Sequence, residues 1–306
     1  MNDTTETGVP TLAASFSRAT RDHLAKLREG ERKVRTEGDL EGVHLMRTSC
    51  RRLRATVKYL GDPLPRKSRK QLQGGLRELM TALGTVRDLD VLRQSLDTVP
   101  SMETREGEEL KESVEERLAR ATERMQDVLD GVEYECLVKD LEIAAGVADD
   151  RVPATRVAPA RIGAALAQVM ELQPSDWTAA PEESLHDLRK SVKKMRYALE
   201  AFAPVYGKPV ERAIERCRGL QESLGTIQDA SAFGELLKGV RTFSAGQFTA
   251  TLRARATREI DGLPELWKKT FGPKGLSRLG GHLFRRATQQ SVPSVDAEED
   301  SQREAV

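Results

Sequence analysis

Basic side chains recur at helical spacing between Val43 and Leu60. They fall on one face of a helix that contains no proline and no glycine, at His44, Arg47, Arg51, Arg54 and Lys58. Arginine presents a planar fork of N–H donors to two phosphate oxygens at once, and lysine acts as a point charge. A row of such groups, spaced about 5–6 Å apart, suits a linear anion whose negative charges also repeat at short intervals.

The helix that carries this row has a second, apolar stripe. At roughly 100° per residue the two stripes lie about 120° apart, so the basic row flanks a buried seam. The packing of that seam is expected to hold the cations in register. The apolar stripe consists of Met46, Cys50, Leu53, Val57 and Leu60.

The same pattern returns 142 residues later, from Leu185 to Phe202. Its basic row lacks only the last member, because Glu200 stands where Lys58 would be. Both rows are expected to be nearly free of acids at i±4, which would neutralise them on the same helix. The second basic row is His186, Arg189, Lys193 and Arg196, and the second apolar stripe is Leu188, Val192, Met195, Leu199 and Phe202.

A Leu-Gly-x-x-x-Asp motif follows each of these helices, at Leu83–Asp88 and again at Leu224–Asp229. Two motifs in matching order predict an internal duplication of units of about 140 residues. Gly84 is expected to end one helix and Asp88 to begin the next, where the helix dipole favours a carboxylate. The second copy is expected to break at the same place, before Asp229.

The doubled motifs resemble the CHAD family, the conserved-histidine α-helical domain. The family signature is a helix that begins His-x-x-Arg, continues with basic turns and precedes a Leu-Gly-x-x-x-Asp motif, twice per chain. The resemblance covers roughly residues 12–288 and departs from a perfect repeat at Glu200. It implies two helical bundles related by pseudo-symmetry that bind inorganic polyphosphate along a basic surface without catalysis.

The composition predicts an all-α protein. Charged residues make up 32% of the 306 residues and aromatic residues only 4%, which favours charge-laced helices over a β-sandwich or barrel. We expect two pseudo-symmetric, duplicated bundles of the four-helix type with a basic cleft between them. The expected divisions are a disordered lead, a first bundle, a linker, a second bundle and an acidic disordered tail, at residues 1–11, 12–145, 146–159, 160–289 and 290–306.

Positive charge is concentrated although the net charge is only +1. Between His44 and Lys70 the sequence holds nine lysines and arginines against one acid, Asp62. The balancing acids lie elsewhere, in residues 103–142 and in the tail. Such segregation creates a local positive field that attracts a polyanion even when the whole chain is nearly neutral.

Together with these basic rows, the resemblance to the CHAD family implies a non-enzymatic protein, without a cofactor, that binds inorganic polyphosphate. The expected role is recruitment to polyphosphate granules, or sensing of them, in the cytoplasm. The side chains expected to contact the ligand lie on the two motif helices and on the helices that follow them. They are His44, Arg47, Arg51, Arg54, Lys58, Arg66, Lys70, Arg77, Arg87, His186, Arg189, Lys190, Lys193, Arg196, Arg212 and Arg216.

Two other functions stay open. A histidine on a helical bundle beside cations is the outline of a histidine phosphotransfer protein, although two histidines that each head a cationic row fit that function poorly. The other alternative is a general polyanion or nucleic-acid scaffold. The motif helices offer only Tyr59 and Tyr197 for stacking on bases, and they contain neither asparagine nor glutamine for reading them.

The sequence predicts no metal site and no membrane span. Arg47 and Arg189 stand three residues after the two histidines, where they would repel a metal cation. Glu29–Lys33 matches the Glu-x-Glu-x-Lys pattern of triphosphate tunnel enzymes, but it lies at the end of a predicted helix and lacks the acidic strands that those enzymes need. No run of about 18 apolar residues occurs, and the three unclustered cysteines fit a reducing compartment.

Overall fold

The structure, a computed structural model, describes residues 9–98, 103–147, 151–237 and 243–288. These residues are almost entirely helical, and within them the sole β-type pairing is an isolated bridge between Thr11 and Pro153. The all-α prediction is confirmed. The first half contains α1 (Leu12–Glu37), α2 (Leu40–Leu60), α3 (Arg66–Asp97), α4 (Arg105–Asp130) and α5 (Val132–Ala145). The second half contains α6 (Ala154–Met170), α7 (Glu182–Tyr206), α8 (Lys208–Leu236), α9 (Phe243–Phe271) and α10 (Pro273–Thr288).

A tight turn folds α1 back on α2, the first motif helix. Gly38 ends α1 in the left-handed conformation (φ 62°), and the Asp39 side chain accepts a hydrogen bond from the backbone N–H of Glu41 at 2.8 Å. Away from the turn, where the two helices cross closely, a Cβ atom on Gly30 would lie 2.7 Å from the carbonyl oxygen of Gly42. Only glycine allows so close an approach, so α2 is held firmly against α1.

Both predicted apolar stripes are confirmed as core. Each of their side chains exposes at most 2% of its surface. On α2 these are Met46, Cys50, Leu53, Val57 and Leu60, and on α7 they are Leu188, Val192, Met195, Leu199 and Phe202. Burial of whole side chains of this size stabilises the fold by about 1.5–3 kcal/mol each. The packing therefore fixes the rotation of both motif helices.

The two halves meet at several places. Arg161 of α6 donates to the backbone carbonyl of Tyr59 and forms an ion pair with Asp62. α2 packs against α7, where the Tyr59 hydroxyl donates to the backbone carbonyl of Lys194 at 3.0 Å. α4 packs against α9, and an apolar cluster forms there around the ends of α3, α4, α8 and α9. We call it the end cluster. It contains Leu92, Leu96, Leu110, Val114, Phe233, Leu237, Ala245 and Phe248.

The predicted helix breaks in the Leu-Gly-x-x-x-Asp motifs were wrong. α3 and α8 run without interruption through Gly84 and Gly225. A glycine inside a helix costs only about 1 kcal/mol relative to alanine, and the apolar pattern on both sides of Gly84 offsets that cost because Leu83 and Val86 are fully buried. Asp88 and Asp229 consequently lie in helix interiors and not at helix N-termini.

The connection between the halves also differs from expectation. α6 begins at Ala154, inside the segment predicted as a linker. Pro10 and Thr11 belong to the predicted disordered lead, yet the Pro10 carbonyl accepts a hydrogen bond from the Ala154 N–H at 3.1 Å. The rest of the predicted lead, residues 1–8, and the predicted acidic tail lie outside the described residues. The duplication and the cleft stay predictions.

Candidate anion-binding site

Five cations of α2 and α7 lie together where the two helices pack. We call them the basic cluster: Arg47, Arg51, Arg189, Lys193 and Arg196. Lys193 is partly buried, and burial lowers the pKa of its ammonium to about 7, with the charges of Arg51, Arg189, Arg47 and Arg196 adding to the shift. Because these arginines come from both motif helices, the two basic rows converge at Lys193.

An aromatic ring lies close to two of the guanidinium groups. The Cζ atom of Arg51 is 5.9 Å from the centroid of the Tyr197 ring, and that of Arg196 is 4.7 Å from it. Burial lowers the pKa of Arg51, and the charges of Arg47 and Arg196 act in the same direction. An enclosed guanidinium keeps its charge, so it is stabilised only by an anionic or aromatic neighbour.

The protein's own carboxylates neutralise part of the basic cluster. Arg196 forms an ion pair with Glu200, and its Nε donates to Oε1 of Gln221 at 2.9 Å. Arg47 forms an ion pair with Asp88, with 3.2 Å between Nη1 and Oδ1.

The other three cations of the cluster have no such partner. In the described part of the chain, no carboxylate lies within ion-pair distance of Arg51, Arg189 or Lys193. Net positive charge therefore remains at the place where α2 meets α7.

Several guanidinium N–H groups of this region lack an acceptor. Four Nε atoms are shielded from solvent and have no hydrogen-bond partner among the described residues. A buried donor without a partner costs roughly 1–3 kcal/mol, and a ligand that brings several oxygens would recover that cost. The four atoms belong to Arg47, Arg51, Arg54 and Arg189.

The two motif histidines face equivalent positions of α3 and α8. His44 is partly buried beside Arg87, and burial together with that arginine lowers the pKa of its imidazole. His186 makes a hydrogen bond from Nδ1 to Oε1 of Gln228. Arg87 and Gln228 each precede the motif aspartate of their own half. The first motif histidine therefore has a cation beside it, whereas the second is hydrogen-bonded to a neutral amide.

The two motif aspartates lie at one end of the basic cluster. Asp229 is partly buried, and burial raises the pKa of its carboxyl. The charge of Asp88 raises that pKa too, whereas Arg189 and Arg47 lower it. An incoming polyanion would be repelled by these carboxylates, so they mark the end of the positive region.

One face of α3 extends the positive region beyond α2. Gln73 lies on this face, and its side-chain amide donates to the backbone carbonyl of Arg54 at 2.8 Å. Three exposed cations occupy the same face at helical spacing, namely Arg66, Lys70 and Arg77.

Lys58 lies at the C-terminal end of the α2 row. Burial lowers the pKa of its ammonium, and nearby Lys194 and Arg54 add to the effect. Its Nζ atom also lies 5.0 Å from the centroid of the Tyr59 ring.

Other predicted site residues are engaged elsewhere. Arg87 forms an ion pair with Asp90 at 2.5 Å. Lys190 pairs with Asp187 at 2.9 Å. Two more predicted residues lie on α8, and among the described residues no hydrogen bond or ion pair links them to the basic cluster. They are Arg212 and Arg216.

Sequence reasoning missed three residues at this site: Tyr197, Glu200 and Gln221. Glu200 stands four residues after Arg196, which is the spacing of a helical ion pair. The expectation that the second row is nearly free of such acids was therefore wrong at Arg196. For Gln221 the sequence carries no comparable signal, because its contact depends on how α7 packs against α8.

The sequence profile of the CHAD domain matches residues 18–238, more than half of the chain. The chain belongs to the CHAD family. As a family, CHAD domains are linked to polyphosphate and are generally non-catalytic binding domains.

Two solved structures share the fold. One is the CHAD domain from the plant Ricinus communis, with a TM-score of 0.64 and 21% sequence identity, covering 92% of this chain and 95% of that one. The other is PptA from Streptomyces chartreusis, with a TM-score of 0.64 and 16% identity, covering 84% of this chain and 99% of that one. At these identities the likeness concerns the fold alone.

Two curated relatives come from Mycobacterium tuberculosis. They are the uncharacterized proteins MT2285, from strain CDC 1551 / Oshkosh, and Rv2226, from strain ATCC 25618 / H37Rv. Each is 25% identical over 259 residues, which span 80% of this chain and 49% of the relative. The chain thus matches about half the length of these proteins.

Neither a metal cluster nor a membrane-spanning helix is found in the described ranges. No three histidine, cysteine, aspartate or glutamate side chains gather there in a way that would hold a metal ion. None of the helices there combines the length and the apolar character needed to cross a bilayer.

Proposed function

We propose that this CHAD protein binds inorganic polyphosphate through the basic cluster and does not act on it as an enzyme. The observation that carries the proposal is the position of Lys193 among Arg47, Arg51, Arg189 and Arg196, which come from two helices. Partly buried like charges repel one another. A chain with a negative charge on every phosphate offsets several of them at once and supplies acceptors to their N–H groups.

The bound chain is proposed to continue along α2 towards α3. From the basic cluster it would pass Arg54 and Lys58 and then meet the exposed cations of α3, Lys70 and Arg66. Each exposed cation contributes less to the binding free energy than a partly buried one, because solvent and salt screen its charge. The cluster is therefore the proposed centre of affinity, and α3 is its extension.

The test is a titration of end-labelled polyphosphate followed by fluorescence anisotropy at several salt concentrations. With five to seven contacts and a slope of about −0.7 per contact for a flexible strand, log K should fall with log[salt] with a slope of roughly −3 to −5. No binding at low salt, or a slope near zero, would contradict the proposal.

The same assay separates the alternative functions. A single-stranded oligonucleotide of equal charge should displace labelled polyphosphate poorly, because bases stack on aromatic rings and Tyr59 and Tyr197 of the motif helices already lie against cations of the chain. Efficient displacement would favour a nucleic-acid scaffold. Transfer of acid-labile phosphate to His44 or His186 from a phosphorylated receiver domain would instead favour phosphotransfer.

The proposed cellular role is recruitment to polyphosphate granules in the cytoplasm. A fluorescent fusion of the chain should gather at granules and disperse in cells that make no polyphosphate. If the fusion kept its foci in such cells, this cellular role would be contradicted. The binding proposal is tested separately by the titration.

A further inference from the structure

A cavity of about 510 Å³ lies between α1, α2, α7 and α8. It is of the size that small-molecule sites usually have, roughly 300–1,000 Å³. We call it the mixed-charge cavity, because three arginines and four carboxylates line it. These are Arg18, Arg52 and Arg218, and Asp22, Glu200, Glu211 and Glu215.

Four buried polar atoms of its lining have no hydrogen-bond partner among the described residues. They are Oγ of Ser15, Nδ1 of His23, the hydroxyl of Tyr197 and Oε2 of Glu200. Ser15 is only 6% exposed and Tyr197 only 8%. Native proteins rarely leave buried polar atoms unpaired. Four such atoms around one cavity therefore point to a ligand that pairs with them.

The carboxylate of Glu200 determines which chemical group one end of the ligand must carry. Its Oε1 accepts from Arg196, whereas its Oε2 has no donor. A carboxylate oxygen only accepts hydrogen bonds, so the ligand must offer an N–H or O–H group there. An ammonium group would suit this position best, because it has three N–H donors and the Tyr197 hydroxyl, which also lacks a partner among the described residues, can accept one of them.

The arginines of the cavity determine which group the other end of the ligand must carry. Arg218 is already paired with Glu215 at 2.5 Å, but in the described part of the chain Arg18 and Arg52 have no ion pair. Arg52 lies near His23, whose pKa is lowered to about 4, mainly by burial and then by that arginine. The imidazole is therefore neutral, and the local positive charge is that of the guanidinium, which a carboxylate matches.

We propose that the mixed-charge cavity binds a small zwitterion of the ω-amino acid class, with its ammonium at Glu200 and Tyr197 and its carboxylate at Arg52 and Arg18. Four carboxylates in the lining would repel a polyanion, and three arginines would repel a simple amine. A molecule with both charges satisfies each end. The site is thus chemically different from the basic cluster, although Tyr197 and Glu200 contact residues of both.

The test is isothermal titration calorimetry with the whole chain and a matched set of probes. Glycine, 4-aminobutanoate and 6-aminohexanoate vary the distance between the charges. Hexylamine and hexanoate each lack one charged end. We expect at least one zwitterion to bind about tenfold or more tightly than both single-charge probes, because each charged hydrogen bond contributes about 1.5–3 kcal/mol.

Variants of nearly equal volume locate the binding. Glu200→Gln should weaken binding of the best zwitterion about tenfold, and Tyr197→Phe should weaken it several-fold. Thermal unfolding followed by circular dichroism would show that both variants are folded. Ser15→Ala should also weaken the zwitterion but leave polyphosphate affinity unchanged, which separates this site from the proposed function.

Three results would overturn the inference. One is the absence of heat from every zwitterion up to 10 mM probe, a concentration of about ten times a Kd of 1 mM. Another is equal binding of hexylamine, hexanoate and 6-aminohexanoate. The last is unchanged zwitterion affinity in the folded Glu200→Gln and Ser15→Ala variants.

Discussion

The basic rows of α2 and α7 share their spacing but differ in what their cations contact. On α2, Arg51 and Arg54 have no carboxylate within ion-pair distance among the described residues. On α7, Arg196 is 7% exposed and already paired with Glu200. One arginine of each row is thus paired, since Arg47 on α2 meets Asp88. Among the described residues the α2 row keeps three unpaired cations and the α7 row keeps two, namely Arg51, Arg54 and Lys58, and Arg189 and Lys193.

One residue explains most of this difference. Glu200 takes the place of Lys58 in the repeat, and it supplies the carboxylate that Arg196 meets one turn away. A row of cations is therefore not by itself a measure of binding capacity. The acids that share its helix decide how many of those cations are available to a ligand.

The largest effect is expected from reversing charge on α2. Arg51→Glu combined with Arg54→Glu should lower polyphosphate affinity at least about 100-fold, because two charged contacts of about 1.5–3 kcal/mol each are lost and replaced by repulsion. Fluorescence anisotropy with end-labelled polyphosphate measures the change.

A matched control has the same change in net charge. Arg120→Glu combined with Arg124→Glu alters two exposed residues of α4, and affinity should fall less than about threefold. Equal losses in the two double variants would mean that net charge, and not the basic cluster, governs binding.

A smaller effect is expected from pH, through Lys193 on α7. Its folded pKa is about 7, and a bound anion favours the protonated amine. Affinity should therefore be full below pH 6 and fall about tenfold between pH 6 and pH 8, as the free protein loses the proton that the complex retains.

Lys193→Arg tests this assignment. It keeps the positive charge but does not titrate in this range, so the decline between pH 6 and pH 8 should largely disappear. An equally steep decline in the variant would assign the pH dependence to another group.

A modest gain in polyphosphate affinity is expected when Glu200, the acid that neutralises Arg196 on α7, is removed. Glu200→Gln frees Arg196, so polyphosphate should bind about three- to tenfold more tightly and the salt slope should steepen by about 0.7. The free protein should lose stability, because a buried guanidinium then lacks its partner.

Asp187→Asn is the matched control on the same helix. It frees Lys190, which is 55% exposed at its side chain, and exposed pairs contribute little. Affinity should change less than twofold. If Glu200→Gln gave no gain beyond this control, the contrast between α2 and α7 would have no consequence for binding.

The smallest loss is expected on α3. Arg66→Ala combined with Lys70→Ala removes two exposed cations, and affinity for long polyphosphate should fall about two- to fourfold. A polyphosphate too short to reach from the basic cluster to α3 should show no loss. The same loss with both lengths would argue against an extension along α3.

Much of the fold follows directly from sequence periodicity. The apolar stripes of α2 and α7 repeat every three or four residues without interruption, and that signal predicted ten buried side chains correctly. The breaks placed at Gly84 and Gly225 were wrong because local glycine preference is weak. Burial on both sides of a glycine decides whether a helix continues.

Less of the candidate site could be predicted from the sequence. The convergence of the two rows on Lys193 depends on how α2 packs against α7, which periodicity within one helix does not specify. The pairing of Arg196 with Glu200 was readable from the i,i+4 spacing. The mixed-charge cavity was not, because its lining depends on how four helices pack together; Ser15, Arg52, Tyr197 and Arg218 each come from a different one.

The Tyr59–Lys194 hydrogen bond, the Arg161–Asp62 ion pair and the end cluster all join the two halves. Two halves joined by several separate contacts do not turn about one hinge, so the distances between their cations stay fixed. Capture of a polyphosphate segment should then need no closing step, and encounter in the positive field should set the association rate. Weakening one of these contacts, for example with Phe248→Ala, should therefore slow association.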